Sequence, residues 1–177
     1  SSTASDSYKK QAGDFFDTYF IYSLDYDKTN QKYRPSEGYR TIFLQELPII
    51  SDGFEIVNSL ETIKYYELPS DMIGKISFYG KSVNTLKNNK NTRISKRLYI
   101  PPSRLRGFES GKVGPIENAD YVGGNYITTV NFTTTLPQVF PSLQILDFSF
   151  FIDAANIWGV DYNENLSNKD IRSSLGL

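Results

Sequence analysis

The chain has 177 residues, with 19 basic and 20 acidic side chains, so it lacks the net positive charge expected of a nucleic-acid-binding protein. It contains no cysteine and no histidine, which excludes disulfide scaffolds, thiol nucleophiles, imidazole bases and the usual zinc sites. Aromatic residues make up 15% of a chain that is only 39% hydrophobic, and no apolar run reaches the roughly 18 residues of a membrane-spanning helix.

The first part of the chain is predicted to form a loop and two strands. Residues 1–14 are rich in Ser, Lys and Asp, which is typical of a loop. From Thr18 to Tyr26 the side chains alternate with period two, which predicts a strand. One face of that strand carries Phe20, Tyr22, Leu24 and Tyr26. A turn at 27–38, a strand from Tyr39 to Leu47 and a connection at 48–53 follow.

The next two predicted strands, Phe54–Glu67 and Met72–Val83, flank a tight turn at 68–71. Each has a polar face with two like charges: Glu55 and Glu61 on the first, Lys75 and Lys81 on the second. Paired carboxylates need water or cations, so we expect this face of the sheet to be wet. If the two strands are neighbours, we expect the lysines to neutralise the glutamates across the sheet.

A long irregular segment, residues 84–122, carries most of the excess positive charge. Compact domains seldom contain such a loop unless it is functional or disordered, so it is the leading functional candidate. Three more strands are predicted after it, at Tyr126–Leu136, Gln144–Trp158 and Ile171–Leu177. In the second of these, alternation places Asp153 on the polar face, opposite Phe148 and Phe150.

Together these elements predict an all-β fold, an incomplete antiparallel meander of about seven strands that forms part of a transmembrane β-barrel. The connections at 68–71 and 137–142 are short, whereas those at 84–122 and 159–170 are long. This asymmetry is typical of outer-membrane barrels, and only the turn at 27–38 departs from it. We therefore divide the chain into a loop remnant, residues 1–14, and a partial outer-membrane β-barrel domain, residues 15–177.

Several motifs resemble those of the bacterial surface antigen family of outer-membrane β-barrels. They are Tyr33-Arg-Pro-Ser-Glu-Gly38, Leu105-Arg-Gly-Phe108, Gly114-Pro115, Val122-Gly-Gly-Asn125, the Phe-x-Asp stretch in Phe150–Trp158, and Ile171-Arg-Ser-Ser-Leu-Gly176. They occur in the family's order. The resemblance implies a sixteen-stranded barrel preceded by soluble periplasmic domains, of which this chain would be the part from strand 8 to the start of strand 14.

The resemblance also implies that the Arg-Gly-Phe element lies at the tip of a loop that folds back into the barrel, where Phe-x-Asp is its partner motif. A guanidinium suits such a contact because its planar fork binds both oxygens of a carboxylate. We predict a loop-to-lumen latch of Arg106, Gly107, Phe108 and Asp153. Gly107 permits a sharp turn, and Phe108 is expected to pack on Phe151. Supporting residues are predicted to be Asn131, Phe151, Gly123 and Gly124.

The chain departs from the family pattern at two of these places. Asn131 stands where the family often has an acidic residue, and Ala155 where it often has glycine. The first departure removes one anionic partner for Arg106, so the latch is expected to depend mainly on Asp153. The second matters less, because alanine adds only a methyl group.

Other interpretations stay open. Residue spacing alone favours a solvated basic loop containing Lys96, Arg97, Arg104 and Arg106. Gly123 and Gly124 are equally compatible with a plain turn. Asp147 and Asp153 are about 20 Å apart on an extended strand, too far for the paired carboxylates of a glycosidase.

The resemblance implies an outer-membrane protein assembly factor, which inserts and folds β-barrel proteins in the outer membrane of a Gram-negative-type bacterium. Its expected partners are outer-membrane lipids, nascent outer-membrane β-barrel proteins and accessory assembly lipoproteins, but not nucleic acid. We predict no enzymatic activity, no metal and no cofactor. This part of a barrel is not expected to act alone. The alternatives are a related transporter of the same superfamily (a two-partner secretion or autotransporter-assembly barrel) and a soluble β-sandwich.

Overall fold

The computed structural model describes residues 14–136, 148–166 and 170–177. The strands are β1 (Asp17–Asp27), β2 (Gly38–Ser51), β3 (Glu55–Leu68), β4 (Met72–Thr85), β5 (Ile116–Glu117), β6 (Asp120–Tyr121), β7 (Tyr126–Thr135), β8 (Ser149–Trp158) and β9 (Arg172–Gly176). Short 3-10 turns occur at Ile94–Lys96, Pro102–Arg104 and Glu164–Leu166. The predicted loop at 1–13, the turn at 137–142, the start of the sixth predicted strand at 144–147, and residues 167–169 of the last connection lie outside the described residues.

One sheet of seven strands contains all the long strands, in the order β1-β2-β3-β4-β7-β8-β9, and every neighbouring pair is antiparallel. Consecutive strands of this sheet are therefore hydrogen-bonded neighbours, as a meander requires. The predicted all-β fold class is confirmed. The two-residue strands β5 and β6 pair with each other inside the long loop and lie outside the main sheet. In the described part of the chain, no helix is both long and apolar enough to span a membrane.

Strand β2 is longer than predicted and includes Pro48. Tyr19 pairs with Pro48 whereas Thr18 pairs with Ile50, so Ile49 is an extra residue in β2. Such a bulge interrupts the hydrogen-bond ladder, and this is where a strand tolerates a proline, which has no N–H to donate. The predicted end of this strand at Leu47 was wrong, because proline suggests a break when only the sequence is read.

The two faces of the sheet differ as the alternation predicts. On one face, side chains in β3, β4, β7 and β8 are buried: Glu55, Val57, Ser77, Val83, Ile127, Thr129, Asn131, Asp153, Ala155 and Ile157. On the other face, apolar side chains are exposed, including Leu60, Ile76, Phe78, Val130 and Ile152. The exposed apolar face is what a barrel wall presents to lipid, and the buried face is the lumen side.

The segment between β4 and β7 covers the lumen side of the sheet. Leu98, Ile100 and Leu105 of this segment form one hydrophobic cluster with residues of the sheet, namely Val57, Val83, Ile127, Ala155 and Ile157. Leu105 is only 2% exposed, and burial of such a side chain contributes about 1.5–3 kcal/mol. The long loop is thus irregular, as predicted, but it is folded onto the wall.

Candidate functional site: the loop-to-lumen latch

Arg106 binds Asp153 through both oxygens of the carboxylate. Its Nε donates to Oδ2 at 2.8 Å and its Nη2 donates to Oδ1 at 2.7 Å. The backbone N–H of Arg106 also donates to Oδ2, at 3.0 Å, and Nη2 donates to the hydroxyl of Thr133 at 3.2 Å. The Asp153 side chain is completely buried, whereas that of Arg106 is 34% exposed. The structure thus brings together the two residues that the resemblance paired.

Asn131 holds the carboxylate in place from the neighbouring strand. It lies opposite Asp153 in the β7–β8 ladder, and its Nδ2 donates at 2.8 Å both to Asp153 Oδ1 and to the carbonyl oxygen of Arg104. The hydroxyl of Thr129 donates to Asn131 Oδ1 at 3.2 Å. An amide can donate to a carboxylate and a second carboxylate cannot, so Asn131 supports Asp153 where an acidic residue would repel it.

Phe151 lies under the arginine. The centre of the Arg106 guanidinium is 3.8 Å from the centroid of the Phe151 ring, which is cation–π geometry. We expected Phe108 to pack on Phe151, but among the described residues it is Arg106 that lies on this ring, so the expectation was wrong. Phe108 is 37% exposed and lines a small cleft with Ile100, Leu105 and Val113 of its own loop. Because the arginine lies flat on the ring, that face of Phe151 is no longer available to a second aromatic group.

The predicted glycines have two different roles. Gly107 has φ +83°, and a Cβ there would come no closer than 4.0 Å to another heavy atom, so its role is conformational. Gly123 also has a left-handed backbone, with φ +69°, and at both Gly123 and Gly124 space is limiting: a Cβ would lie 2.6 Å from the Leu98 carbonyl oxygen and 2.5 Å from that of Trp158, respectively. Leu98 and Gly124 exchange two backbone hydrogen bonds, of 2.8 and 3.0 Å. The pair is therefore a site of close backbone packing, and Gly123 also adopts the left-handed conformation of a turn.

Two further loop arginines are also paired, which contradicts the interpretation of a solvated basic loop. Arg104 Nη2 lies 2.8 Å from Glu61 Oε2, and its guanidinium lies 4.4 Å from the centroid of the Tyr79 ring. Arg97 is 5% exposed and forms an ion pair with Asp161, with its guanidinium 4.8 Å from the centroid of the Tyr162 ring. These partners are distant in sequence, so residue spacing carried no signal for them.

Glu55 and Glu61, the two glutamates predicted to share the polar face, pair with arginines of the loop. Glu55 pairs with Arg93 at 2.7 Å and Glu61 pairs with Arg104 at 2.8 Å. Within the described ranges, no ion pair joins either glutamate to Lys75 or Lys81, so the expected cross-strand neutralisation was wrong. The register places Ser59 opposite Lys81 and Tyr65 opposite Lys75, and this offset separates the charges.

Asp161 lies outside the membrane-spanning strands, in the connection after β8. Burial raises the pKa of this carboxyl, but the N–H of Thr92, the charge of Arg97 and the amide of Asn125 together outweigh burial, so the pKa lies below its ordinary value. Asp161 is therefore ionised at neutral pH and ties the loop to the neighbouring connection. In residues 14–136, 148–166 and 170–177, no group of three or more acidic side chains is arranged to hold a metal ion.

The strand order, the two faces of the sheet and the Arg106–Asp153 contact describe a segment of transmembrane β-barrel wall with a loop held inside by an arginine–carboxylate pair. The whole chain, residues 1–177, matches the Omp85 superfamily domain. The chain belongs to the Omp85 superfamily, and the family resemblance seen in its motifs is confirmed. Membership places the chain in an outer membrane.

Among curated proteins, the chain is similar to the sorting and assembly machinery component 50 homologs of Homo sapiens (26% identical over 172 residues) and of Bos taurus and Mus musculus (both 25%). These matches cover 93% of this chain and 36% of each relative, so the chain spans about a third of their length. Among solved structures, it resembles BamA from Haemophilus ducreyi lacking POTRA domains 1–3. That likeness has a TM-score of 0.73 and 20% identity over 88% of this chain and 34% of the other, and it shows the shared fold.

Proposed function

We propose that the protein carrying this chain assembles β-barrel proteins into an outer membrane, and that this chain supplies the wall to which the inward loop is latched. The proposal is supported by the family match and by the sorting and assembly role in the names of the mammalian relatives. The clients are unfolded outer-membrane β-barrel proteins, and accessory assembly proteins and membrane lipids are the other partners. The activity needs no enzymatic step, metal or cofactor.

The proposal depends on one structural observation: the Arg106 guanidinium binds both carboxylate oxygens of Asp153. A single charge-assisted contact in a partly wet lumen contributes about 1–3 kcal/mol. This favours the latched position of the loop by a factor of roughly 5 to 150, since about 1.4 kcal/mol corresponds to a factor of ten. Such an energy is too small to fold the barrel and large enough to set which position the loop occupies.

The experiment uses the full-length protein in liposomes and follows the folding of an added unfolded barrel protein by its resistance to protease. We expect Arg106→Ala and Asp153→Asn to slow client folding at least several-fold and to expose the loop to protease. Arg106→Lys keeps the charge without the fork and should give an intermediate rate. The matched control is Lys112→Ala, an exposed cation of the same loop.

If Arg106→Ala and Asp153→Asn both left the folding rate and the loop cleavage unchanged, the latch would have no functional role. The transporter alternative predicts a different outcome in the same liposomes, because a soluble polypeptide would cross the membrane and no client would be inserted. A client that becomes protease-resistant and stays with the lipid supports assembly.

We propose the envelope of a Gram-negative-type bacterium as the location. The mammalian relatives come from cells without such an envelope, so an outer membrane of an organelle of bacterial origin is equally compatible with the family. Fractionation of cells that express a tagged full-length protein distinguishes the two, since only one of the membranes co-purifies with bacterial lipopolysaccharide.

A further inference from the structure

A second arginine cluster lies nearer the start of the same loop, at Arg93. Its Nε donates to Glu55 Oε1 at 2.7 Å and its Nη2 donates to Oε2 at 2.8 Å, so the guanidinium forms a complete fork on this carboxylate. The same Nη2 also contacts both oxygens of Asp17, at 2.9 and 2.7 Å. Arg93 therefore joins the loop to β3 and to β1 at once.

The surroundings of Arg93 satisfy and enclose both carboxylates. The hydroxyl of Ser51 donates to Asp17 Oδ1 at 2.6 Å, and that of Tyr19 donates to Glu55 Oε2 at 3.5 Å. Lys96 lies 3.8 Å from Asp17 and balances the second negative charge. The ring of Phe15 covers the guanidinium, with its centroid 4.9 Å away. The Glu55 side chain is completely buried, and that of Arg93 is 8% exposed.

The backbone also leaves room for this cluster. At Gly53, a Cβ would lie only 2.0 Å from Glu55 Oε1, so the carboxylate occupies the space that a side chain would need. Ser51 Oγ accepts the backbone N–H groups of Gly53 and Phe54, at 3.3 and 3.0 Å, which shapes the β2–β3 turn around the carboxylate. The site is therefore built by the wall itself and does not depend on the loop alone.

The contacts of Arg93 and Arg106 fall on different parts of the wall. Arg93 binds β1 and β3, whereas Arg106 binds Asp153 of β8 and Thr133 of β7. The Arg106 side chain is 34% exposed and has one carboxylate, whereas the Arg93 side chain is 8% exposed and has two. Water reaches the guanidinium of Arg106, although its partner Asp153 is buried, and is largely excluded from the guanidinium of Arg93.

We propose that Arg93, Glu55 and Asp17 are positioning residues that form a permanent anchor for the loop, and that the Arg106 contact alone is releasable. Unlatching then frees the tip of the loop, residues 106–112, while residues 92–98 stay on the wall. This inference concerns the loop only, so it stands or fails separately from the assembly function.

The test measures the mobility of two parts of the loop in the full-length protein in membranes. This chain has no cysteine, so a spin label is attached at Ser95→Cys beside the anchor or at Ser110→Cys beyond the latch, with any cysteine elsewhere in the protein replaced. We expect Arg106→Ala to increase the mobile fraction at Ser110 on the order of tenfold and to leave Ser95 unchanged. We expect Arg93→Ala to mobilise the label at Ser95, with Lys112→Ala as the control.

Because Arg93→Ala leaves the buried Glu55 without its cation, the single variant Asp17→Asn is measured as well; it keeps the contact of Arg93 with Glu55 and a similar side-chain volume. Asp17→Asn should mobilise the label at Ser95 in the same direction to a smaller extent, and Arg93→Lys should rescue only part of the loss. An Arg106→Ala protein whose two labels become equally mobile would overturn the proposal, as would an Asp17→Asn and Arg93→Lys pair that both match the unmodified protein.

Discussion

The two arginine sites of the loop use the same chemistry in different surroundings. Arg106 and Arg93 each bind both oxygens of a carboxylate, and each lies on an aromatic ring. The arginine of the first site is partly exposed to the lumen, whereas the arginine of the second is enclosed by the β2–β3 turn and by Phe15. How readily an arginine–carboxylate contact opens therefore depends on the access of water to the arginine. Separating an ion pair in contact with water costs little free energy, because water solvates both charges. Separating a buried pair costs much more, because the remaining charge is left without a partner.

The largest effect is expected when the buried cluster loses its cation. Arg93→Ala leaves the buried Glu55 without its cation and Asp17 with Lys96 alone, and loss of one partner of a buried pair costs about 3–5 kcal/mol. The urea midpoint for unfolding of the full-length barrel, read from its gel mobility, should fall accordingly. The control is Arg172→Ala, whose pair with Asp170 is exposed and is worth at most about 1 kcal/mol. Equal midpoints for the two variants would contradict the contrast between the sites.

Two glycine substitutions, one beside each arginine site, are expected to lower stability by intermediate amounts. Gly53→Ala pushes a methyl group into the Glu55 carboxylate, which Arg93 holds in place, so we expect a loss of about 1–3 kcal/mol by overpacking. Gly107→Ala makes only an ordinary contact, 4.0 Å from Ser174 Cβ, so its cost is that of the left-handed backbone, about 1–2 kcal/mol. In urea unfolding, Gly53→Ala should lower the midpoint of the barrel more. Gly107→Ala should act chiefly on protease cleavage of the loop, and the reverse order would be evidence against the packing argument.

The smallest effect is expected from acid at the Arg97–Asp161 contact. The pKa of Asp161 is lowered in the folded protein, so its contribution to stability is complete above the ordinary aspartate pKa of about 3.9 and is lost as the pH falls through the lowered value. Hydrogen exchange of the Thr92 amide, which donates to Asp161 Oδ2 at 2.7 Å, should therefore accelerate below about pH 4 beyond its intrinsic pH dependence. The Asp161→Asn protein should lack this extra acceleration. If the unmodified and Asp161→Asn proteins showed the same pH dependence of Thr92 exchange, the prediction would be wrong.

Much of the fold could be predicted because its signal is local. Period-two alternation assigned the faces of β1, β7 and β8, and with the family motifs it led to Asp153 and Arg106. The bulge at Ile49 was missed because proline suggests a break in any single strand. Arg93 was missed because its partners Glu55 and Asp17 are 38 and 76 residues away, and no motif marks them.

Most of the strands and their two faces follow from the sequence alone, because alternation of side chains is a property of each strand by itself. The pairing of Arg106 with Asp153 was implied by the family motifs. Which other charges meet depends on the tertiary structure, since strand register and the path of the loop set the distances between groups far apart in the chain. The tertiary structure placed Arg106 rather than Phe108 on Phe151, and it assigned the lumen glutamates to loop arginines rather than to Lys75 and Lys81. A buried charge is costly without a close partner of opposite charge, and such partners come close only when the loop packs on the sheet.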